Sequence, residues 1–366
     1  MFENIYKGKK VVITGNTGFK GSWLTVWLSK LKANLVGISK DIPTKPSMFE
    51  ELDLKNKIDH RTEDITDLSK IINIISKEKP DFIFHLAAQP IVSKSYIDPI
   101  ETILSNVVGT TNILQALKIS NHKCSVIMIT SDKAYKNVEQ LSGYKENDIL
   151  GGKDIYSGSK AAAELIIQSY YNSFYKSKNN NIKIAVGRAG NVIGGGDWAK
   201  DRIVVDCINS WSRGEIVEIR SPESTRPWQH VLEPLSGYLH LGLELYKNKS
   251  LHGEAFNFGP RDDQNQTVKE LINDLSKYWK IENKNKAYKI VENITFNESK
   301  LLKLNCDKAN SLLNWKANLN YKETVKFTSE WYYDFYNTDK NIYEKTSEQI
   351  LNYELIGKKQ SLKWTE

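Results

Sequence analysis

A short apolar run ending in three spaced glycines constrains this chain most. Lys10 to Thr14 (KVVIT) has the β-branched density of a strand buried on both faces. It runs into Gly15-Asn16-Thr17-Gly18-Phe19-Lys20-Gly21, and helical periodicity follows from about Phe19 to Leu31. Gly15 at the strand end permits a tight turn. Gly18 lets the backbone approach a pyrophosphate, and Gly21 lets helix and strand pack closely. The helix N-terminus offers N–H groups and partial positive charge to phosphates. Thr17 and Phe19 share the loop and are candidates to touch the same ligand.

The pattern repeats through the first half, as βαβ units require. Strands are predicted at Leu35 to Ser39, Asp81 to Ala88, Val126 to Ser131 and Ile182 to Gly187. Helices are predicted at Asp67 to Lys77, with Asp67 as N-cap, and at Pro99 to Ile119 and Ser157 to Tyr175. Past Arg188 the rhythm breaks into short strands and Gly- or Pro-bearing loops, Gly194 to Gly196 and Ser221 to Pro227 among them. Thr267 to Trp279 and Thr324 to Tyr336 read as amphipathic helices, and the charged last 30 residues have no assignable pattern. The expectation is α/β: a Rossmann-type doubly wound parallel sheet over 1–187. A smaller mixed α/β region at 188–366 would bind substrate and return some elements to the first.

Composition narrows the function classes. With 40% hydrophobic residues in 366, the chain can bury a sizeable core. The net charge of +7 comes from lysines scattered among Glu, Asp and Asn, without the basic stripe that nucleic-acid tracking needs. Three distant cysteines and six unpaired histidines give neither a disulfide framework nor metal-ligand spacing. No signal peptide and no run of 18 apolar residues is seen, so a metal-free cytoplasmic protein is expected.

Tyr156-Ser157-Gly158-Ser159-Lys160 is a YxxxK, which puts phenol and ammonium on one helix face. A lysine there favours phenolate, so the tyrosine pKa is expected to fall toward working pH and the residue to accept an alcohol proton. The pattern also occurs at Tyr6/Lys10 and Tyr336/Lys340. Only Tyr156 follows a buried strand, the one ending Thr130-Ser131, by about 25 residues. That strand places Ser131 at the C-terminal sheet edge, where such folds bind ligands. Asp41, after Lys40, is the nearest acid to the second strand's end and leaves NAD against NADP open. Asp64, with Ile65 beside it, is a candidate to hydrogen-bond an adenine.

Together these features resemble the extended short-chain dehydrogenase/reductase family over about residues 8 to 335. GNTGFKGSWL, HLAAQP, TSDKAY, RAGNVIGGGDWAKDRI and TRPWQHVLEPLSGYL are similar to its CDP-glucose 4,6-dehydratase branch. The chain departs from that branch's usual Cys, Pro and Ala at Ala134, Ile155 and Gly158. The resemblance implies an NAD-dependent lyase acting on a nucleotide sugar for deoxysugar synthesis, such as that of a bacterial surface O-antigen. It would oxidise C4, eliminate water across C5 and C6 and reduce C6. Tyr156 and Lys160 would serve the first step, with Ser131 on O4. Asp132 would be the acid for the leaving hydroxyl, with Lys133 near C5. Lys133 acts as base only if its pKa falls well below about 10.4; charged, it would stabilise the enolate.

Leu86, Ala87 and Ala88 would let the cofactor pass over the strand end, with Asn106 and Thr130 as further contacts by resemblance. Asn191, Arg202, Arg220 and Arg226 are the candidates for the diphosphate, since guanidinium forks suit phosphate oxygens. His230 reads equally as a core or a ligand residue, and His85 as a satisfied buried histidine. A homodimer, packing Pro99–Ile119 and Ser157–Tyr175 of each subunit into a four-helix bundle, is also implied. Competing readings are a 4-epimerase or 4-reductase, which needs no elimination acid, a dehydratase for another NDP-hexose or heptose, and a non-catalytic cofactor sensor.

Overall fold

The computed structural model describes residues 1–177, 180–261, 264–281, 287–291 and 302–366. Two residues of the Asn/Lys-rich stretch at 176–181 thus lie outside the described residues. Seven strands form one sheet: β1 (Lys10–Thr14), β2 (Asn34–Ser39), β3 (Asp59–Thr62), β4 (Phe82–His85), β5 (Cys124–Ile129), β6 (Ile182–Arg188) and β7 (Ala255–Asn257). Their order is β7-β6-β5-β4-β1-β2-β3 and every pairing is parallel. The order reverses between β1 and β4, and that switch point opens the crevice where ligands bind in such sheets.

Alternate residues of each strand feed opposite cores, as the period of two demands. Val11, Ile13, Phe82, Phe84, Ile127 and Ala185 point to one face. Val12, Ile83, Val126, Met128, Ile184 and Val186 point to the other. The first face is covered by α1 (Phe19–Lys30) and α5 (Leu232–Lys247), the second by α2 (Leu68–Glu78), α3 (Gly109–Ser120) and α4 (Ile155–Tyr170). Asp67 caps α2 by accepting from Lys70 N at 3.1 Å, and Asp154 caps α4 by accepting from Ser157 N at 2.9 Å. Each cap satisfies one of the N–H groups that its helix leaves open at the N-terminus.

Several elements differ from the sequence expectation. The Asp81–Ala88 run is strand only over Phe82–His85, because β4 reaches the sheet edge there. The chain before α3 is helical from Pro99 but passes through a π-turn at Leu104–Val108, and α4 ends in another at Tyr171–Tyr175. Within the expected loop at Ser221–Pro227, Thr225–Arg226 pairs antiparallel with Gln266–Thr267. The charged tail contains a long helix. After α6 (Tyr321–Asn337), α7 (Ile342–Lys359) packs on α1, with Trp27 edge-on to Tyr353 at 5.6 Å. Trp364 then stacks on Tyr353 and Phe2, and the N-terminal ammonium reaches Glu366 O at 2.9 Å.

Candidate active site

The phosphate loop is shaped by close approach. Gly15 has φ +76°, and a Cβ there would stand 2.8 Å from Ala87 N. A Cβ on Gly21 would overlap the Gly15 carbonyl. The N-cap of α1 is Gly18, without a side-chain cap, so its first N–H groups meet no capping carboxylate. That uncapped N-terminus at the crevice suits a pyrophosphate. Thr17 donates to the Asp41 carbonyl at 2.7 Å and Phe19 is half-buried nearby. Leu86, Ala87 and Ala88 leave the sheet at this edge, with Ala87 N donating to Thr14 Oγ1 at 3.2 Å. Asp64 accepts from Thr66 N at 2.9 Å, while Ile65 is buried against Gly109.

Beyond β5 the chain makes one 3-10 turn, Asp132–Ala134, with Ser131 as its N-cap. Ser131 Oγ accepts from Lys133 N at 3.2 Å and donates to Asp132 Oδ1 at 2.9 Å. Ser131 and Asp132 are buried and Lys133 is half-buried. Tyr156 and Lys160, both buried, lie on α4 against this turn. The Tyr156 pKa differs from expectation: burial pushes it up to about 12, and Asp132 and Asp154 add to the rise. The Ser131 hydroxyl and Arg202 pull it down by less. Burial likewise holds Lys160 down at about 8, opposed by Glu164.

Of the residues proposed for the diphosphate, Arg202 is paired with Asp197 at 2.6 Å. Arg226 Nη1 donates to the Thr225 carbonyl at 2.9 Å, Asn191 sits at φ 50°, and Arg220 is exposed, with Asp206 in its field. The Asn106 amide is spent on Gln89 and on Ser159 Oγ at 2.9 Å, which ties the π-turn to α4. Thr130 Oγ1 donates to Glu164 at 2.6 Å. His230 is wholly buried between Trp23 and Phe327. His85 is satisfied by Thr14 at 2.7 Å and Thr110 at 3.1 Å.

Sequence reasoning missed three contributors. Gly190 of RAGN is where Asp132 fits, because a Cβ there would overlap its carboxylate. Lys20, half-buried on the first turn of α1, is held down at about 8 by burial, with Arg202 and Lys160 adding to the fall and Asp132 and Asp197 opposing it. Asp197 is the partner of Arg202. A lysine inside a glycine loop and a carboxylate five residues before an arginine were the available signals. The second has no periodic meaning in a loop.

The family model for GDP-mannose 4,6 dehydratase matches residues 12–328. The CDP-glucose 4,6-dehydratase of Salmonella typhimurium is 42% identical over 90% of this chain and 92% of its own length. Among solved structures, the UDP-glucose 4-epimerase of Thermotoga maritima aligns with a TM-score of 0.76 at 21% identity, over 89% of this chain and 99% of its own. The dTDP-glucose 4,6-dehydratase of Streptomyces venezuelae, solved with NAD bound, also gives 0.76, at 17% identity over 89% and 97%. The glycine loop, the buried Tyr156–Lys160 pair and the Ser131–Asp132–Lys133 turn all fall inside the matched span, and the chain belongs to the GDP-mannose 4,6 dehydratase family.

Proposed function

We propose that this protein is an NAD-dependent CDP-glucose 4,6-dehydratase, a lyase converting CDP-glucose to CDP-4-keto-6-deoxyglucose. The observation that carries the reading is Asp132, buried beside Ser131 and fitted against Gly190, in the turn that α4 packs with Tyr156 and Lys160. A 4-epimerase or 4-reductase has no use for an acid at that place. The 42% identical Salmonella relative supports the nucleotide and the sugar.

Gly15, Gly18 and Gly21 with the uncapped start of α1 would hold the pyrophosphate, and Ala87 and Ala88 are small enough to let the cofactor pass over the strand end. NAD rather than NADP is favoured because Lys40, the cation nearest the β2 terminus, is bound to Glu101 at 2.7 Å. When bound, NAD would supply the hydride acceptor for oxidation at C4 and the hydride donor for reduction at C6. Tyr156 removes the O4 proton, Ser131 hydrogen-bonds that oxygen and Lys160 stabilises the phenolate. Asp132 protonates the departing C6 hydroxyl. Lys133, as the neutral amine, takes the C5 proton during elimination and returns it to C5 when C6 is reduced. Arg202, released from Asp197, joins Arg226, Arg220 and Asn191 on the diphosphate.

The reading extends to assembly and place. Ile100, Ile103, Leu104 and Leu165 are exposed on the helices that would form a four-helix dimer interface, which supports covering those helices with a second copy. Light scattering that finds only monomer at micromolar concentration would overturn the dimer. The three cysteines are free, consistent with work in the cytoplasm. No helix among the described residues is long and apolar enough to cross a membrane.

The test incubates purified protein with CDP-glucose and catalytic NAD+ and follows the sugar nucleotide by mass spectrometry. UDP-, GDP- and dTDP-glucose run alongside. Loss of one water from the CDP-sugar without net NADH is expected. Water loss only from another nucleotide sugar would overturn the substrate. An isomerised or reduced sugar would overturn the dehydratase.

A further inference from the structure

A buried ion pair lies behind the reacting groups and is used by none of the steps above. Glu164 of α4 and Arg188, the last residue of β6, are both 1% exposed and bound side to side, with Arg188 Nε donating to both carboxylate oxygens at 2.8 and 2.9 Å. Breaking such a pair by removing one partner leaves an uncompensated buried charge, so the site has reason to keep both.

The pair grips the turn that carries Ser131, Asp132 and Lys133 at its two ends. At one end Thr130 Oγ1 donates to Glu164 Oε1 at 2.6 Å. At the other, Arg188 Nη1 donates to Tyr135 Oη at 2.6 Å, and the guanidinium lies over the Tyr135 ring at 4.7 Å from its centroid. Tyr135 Oη in turn donates to Asn257 Oδ1 of β7 at 2.8 Å. Glu164 is also one turn beyond Lys160 on α4, so its carboxylate lies on the same helix face as Lys160 and Tyr156.

We propose that Glu164 and Arg188 are positioning residues that lock the Thr130–Tyr135 segment to α4, fixing Ser131 and Asp132 against Tyr156 while placing a compensating negative charge beside Lys160. This rests on the reading of Tyr156, Lys160, Ser131 and Asp132 as the reacting set. Neither residue touches substrate; Glu164 acts through Thr130 and Lys160, and Arg188 through Tyr135. The charged groups around Lys160 come from several elements. Glu164 is on its own helix, Lys20 stands at the start of α1, and His85 of β4 is held neutral, its pKa pushed down to about 3 by burial and by Lys160. Of these, only Glu164 favours the ammonium. Its removal therefore moves the loss of the Lys160 proton to lower pH, and the alkaline limb of kcat moves with it.

The experiment first establishes water loss from a nucleotide sugar by the wild-type enzyme; if none occurs, the functional reading fails before this proposal is reached. Glu164→Gln and Tyr135→Phe are then compared with wild type by circular dichroism, by kcat and KM, and by kcat against pH. Glu164→Gln is expected to shift the alkaline limb down by about one unit or more. Tyr135→Phe releases one end of the turn without touching the ion pair. It is expected to lower kcat roughly 10-fold or more, since small displacements at a reacting centre are expensive, with KM nearly unchanged. If Glu164→Gln does not fold, Tyr135→Phe decides the positioning role alone. A folded Glu164→Gln with an unmoved alkaline limb, or a Tyr135→Phe that is less thermostable but turns over at the wild-type rate, would overturn the proposal.

Discussion

Replacing Gly190 by alanine should separate the elimination from the oxidation. The added Cβ would overlap Oδ2 and Cγ of Asp132 and stand 2.5 Å from Oδ1, whereas ordinary contact begins at 3.4 Å. To reach that ordinary contact distance the carboxylate must therefore retreat by about 1.5 Å at Oδ2. The retreat stretches or breaks the 2.9 Å bond from Ser131 Oγ. A displacement of this size at a reacting group costs roughly 100-fold in rate, or about 2.7 kcal/mol of barrier. Overpacking also destabilises the fold by about 1–3 kcal/mol. The assay is rapid-quench mass spectrometry of water loss alongside stopped-flow absorbance of enzyme-bound NADH. Gly190→Ala should form NADH at close to the wild-type rate and accumulate it, because elimination lags. Wild-type water loss by a folded Gly190→Ala would show that Asp132 can be displaced without consequence, and the acid assigned to C6 would be wrong.

Four further outcomes follow from the same geometry. With Lys160 at about 8, its charged form is lost as pH rises through that value, so kcat should fall above about pH 8; in Lys160→Met that limb should vanish and kcat drop at least ~100-fold, read from a pH series. Because this pKa is lowered from its unfolded value, the residue's contribution to stability is present above about 10.4 and is lost as pH falls through 8. Thermal melts of Lys160→Met should therefore rise less steeply with pH over that window than those of wild type. Arg202→Ala should raise KM for the sugar nucleotide roughly 10-fold or more with a smaller change in kcat, measured by initial rates; an unchanged KM would remove it from the diphosphate site. Trp364→Ala removes a wholly buried ring between Tyr353 and Phe2 and should cost about 3–5 kcal/mol, seen as a lower melting temperature, while kcat at 25 °C stays within about twofold.

Much of this architecture is written locally. KVVIT, the glycine spacing and the capped helices are each decided by neighbours within a few residues, so β1, its turn and α1 could be read directly. The YxxxK pairs show where local reading stops. Tyr6 turns out to be a core residue donating to Leu239 O at 2.5 Å, and Tyr336 accepts from Trp198 Nε1 at 3.0 Å. Only the position of Tyr156 against the β5 edge separates it from these two. α7 escaped detection because its buried stripe of Ile342, Lys345, Thr346, Gln349, Ile350 and Tyr353 includes a lysine and a glutamine. Lys345 is buried there because Asp334 of α6 meets it at 3.1 Å, a partner no periodicity reveals.

The sequence by itself determined a parallel α/β sheet, a dinucleotide loop and which tyrosine to watch, since these depend on side-chain period, glycine spacing and order along the chain. The tertiary structure alone decided that Gly190 makes room for Asp132, that Asp197 holds Arg202, that burial outweighs Ser131 and Arg202 at Tyr156, and that Glu164 and Arg188 bind both ends of the Ser131–Ala134 turn. Each of these depends on distance or desolvation between segments remote in the chain, and those quantities exist only once the sheet has brought the segments together.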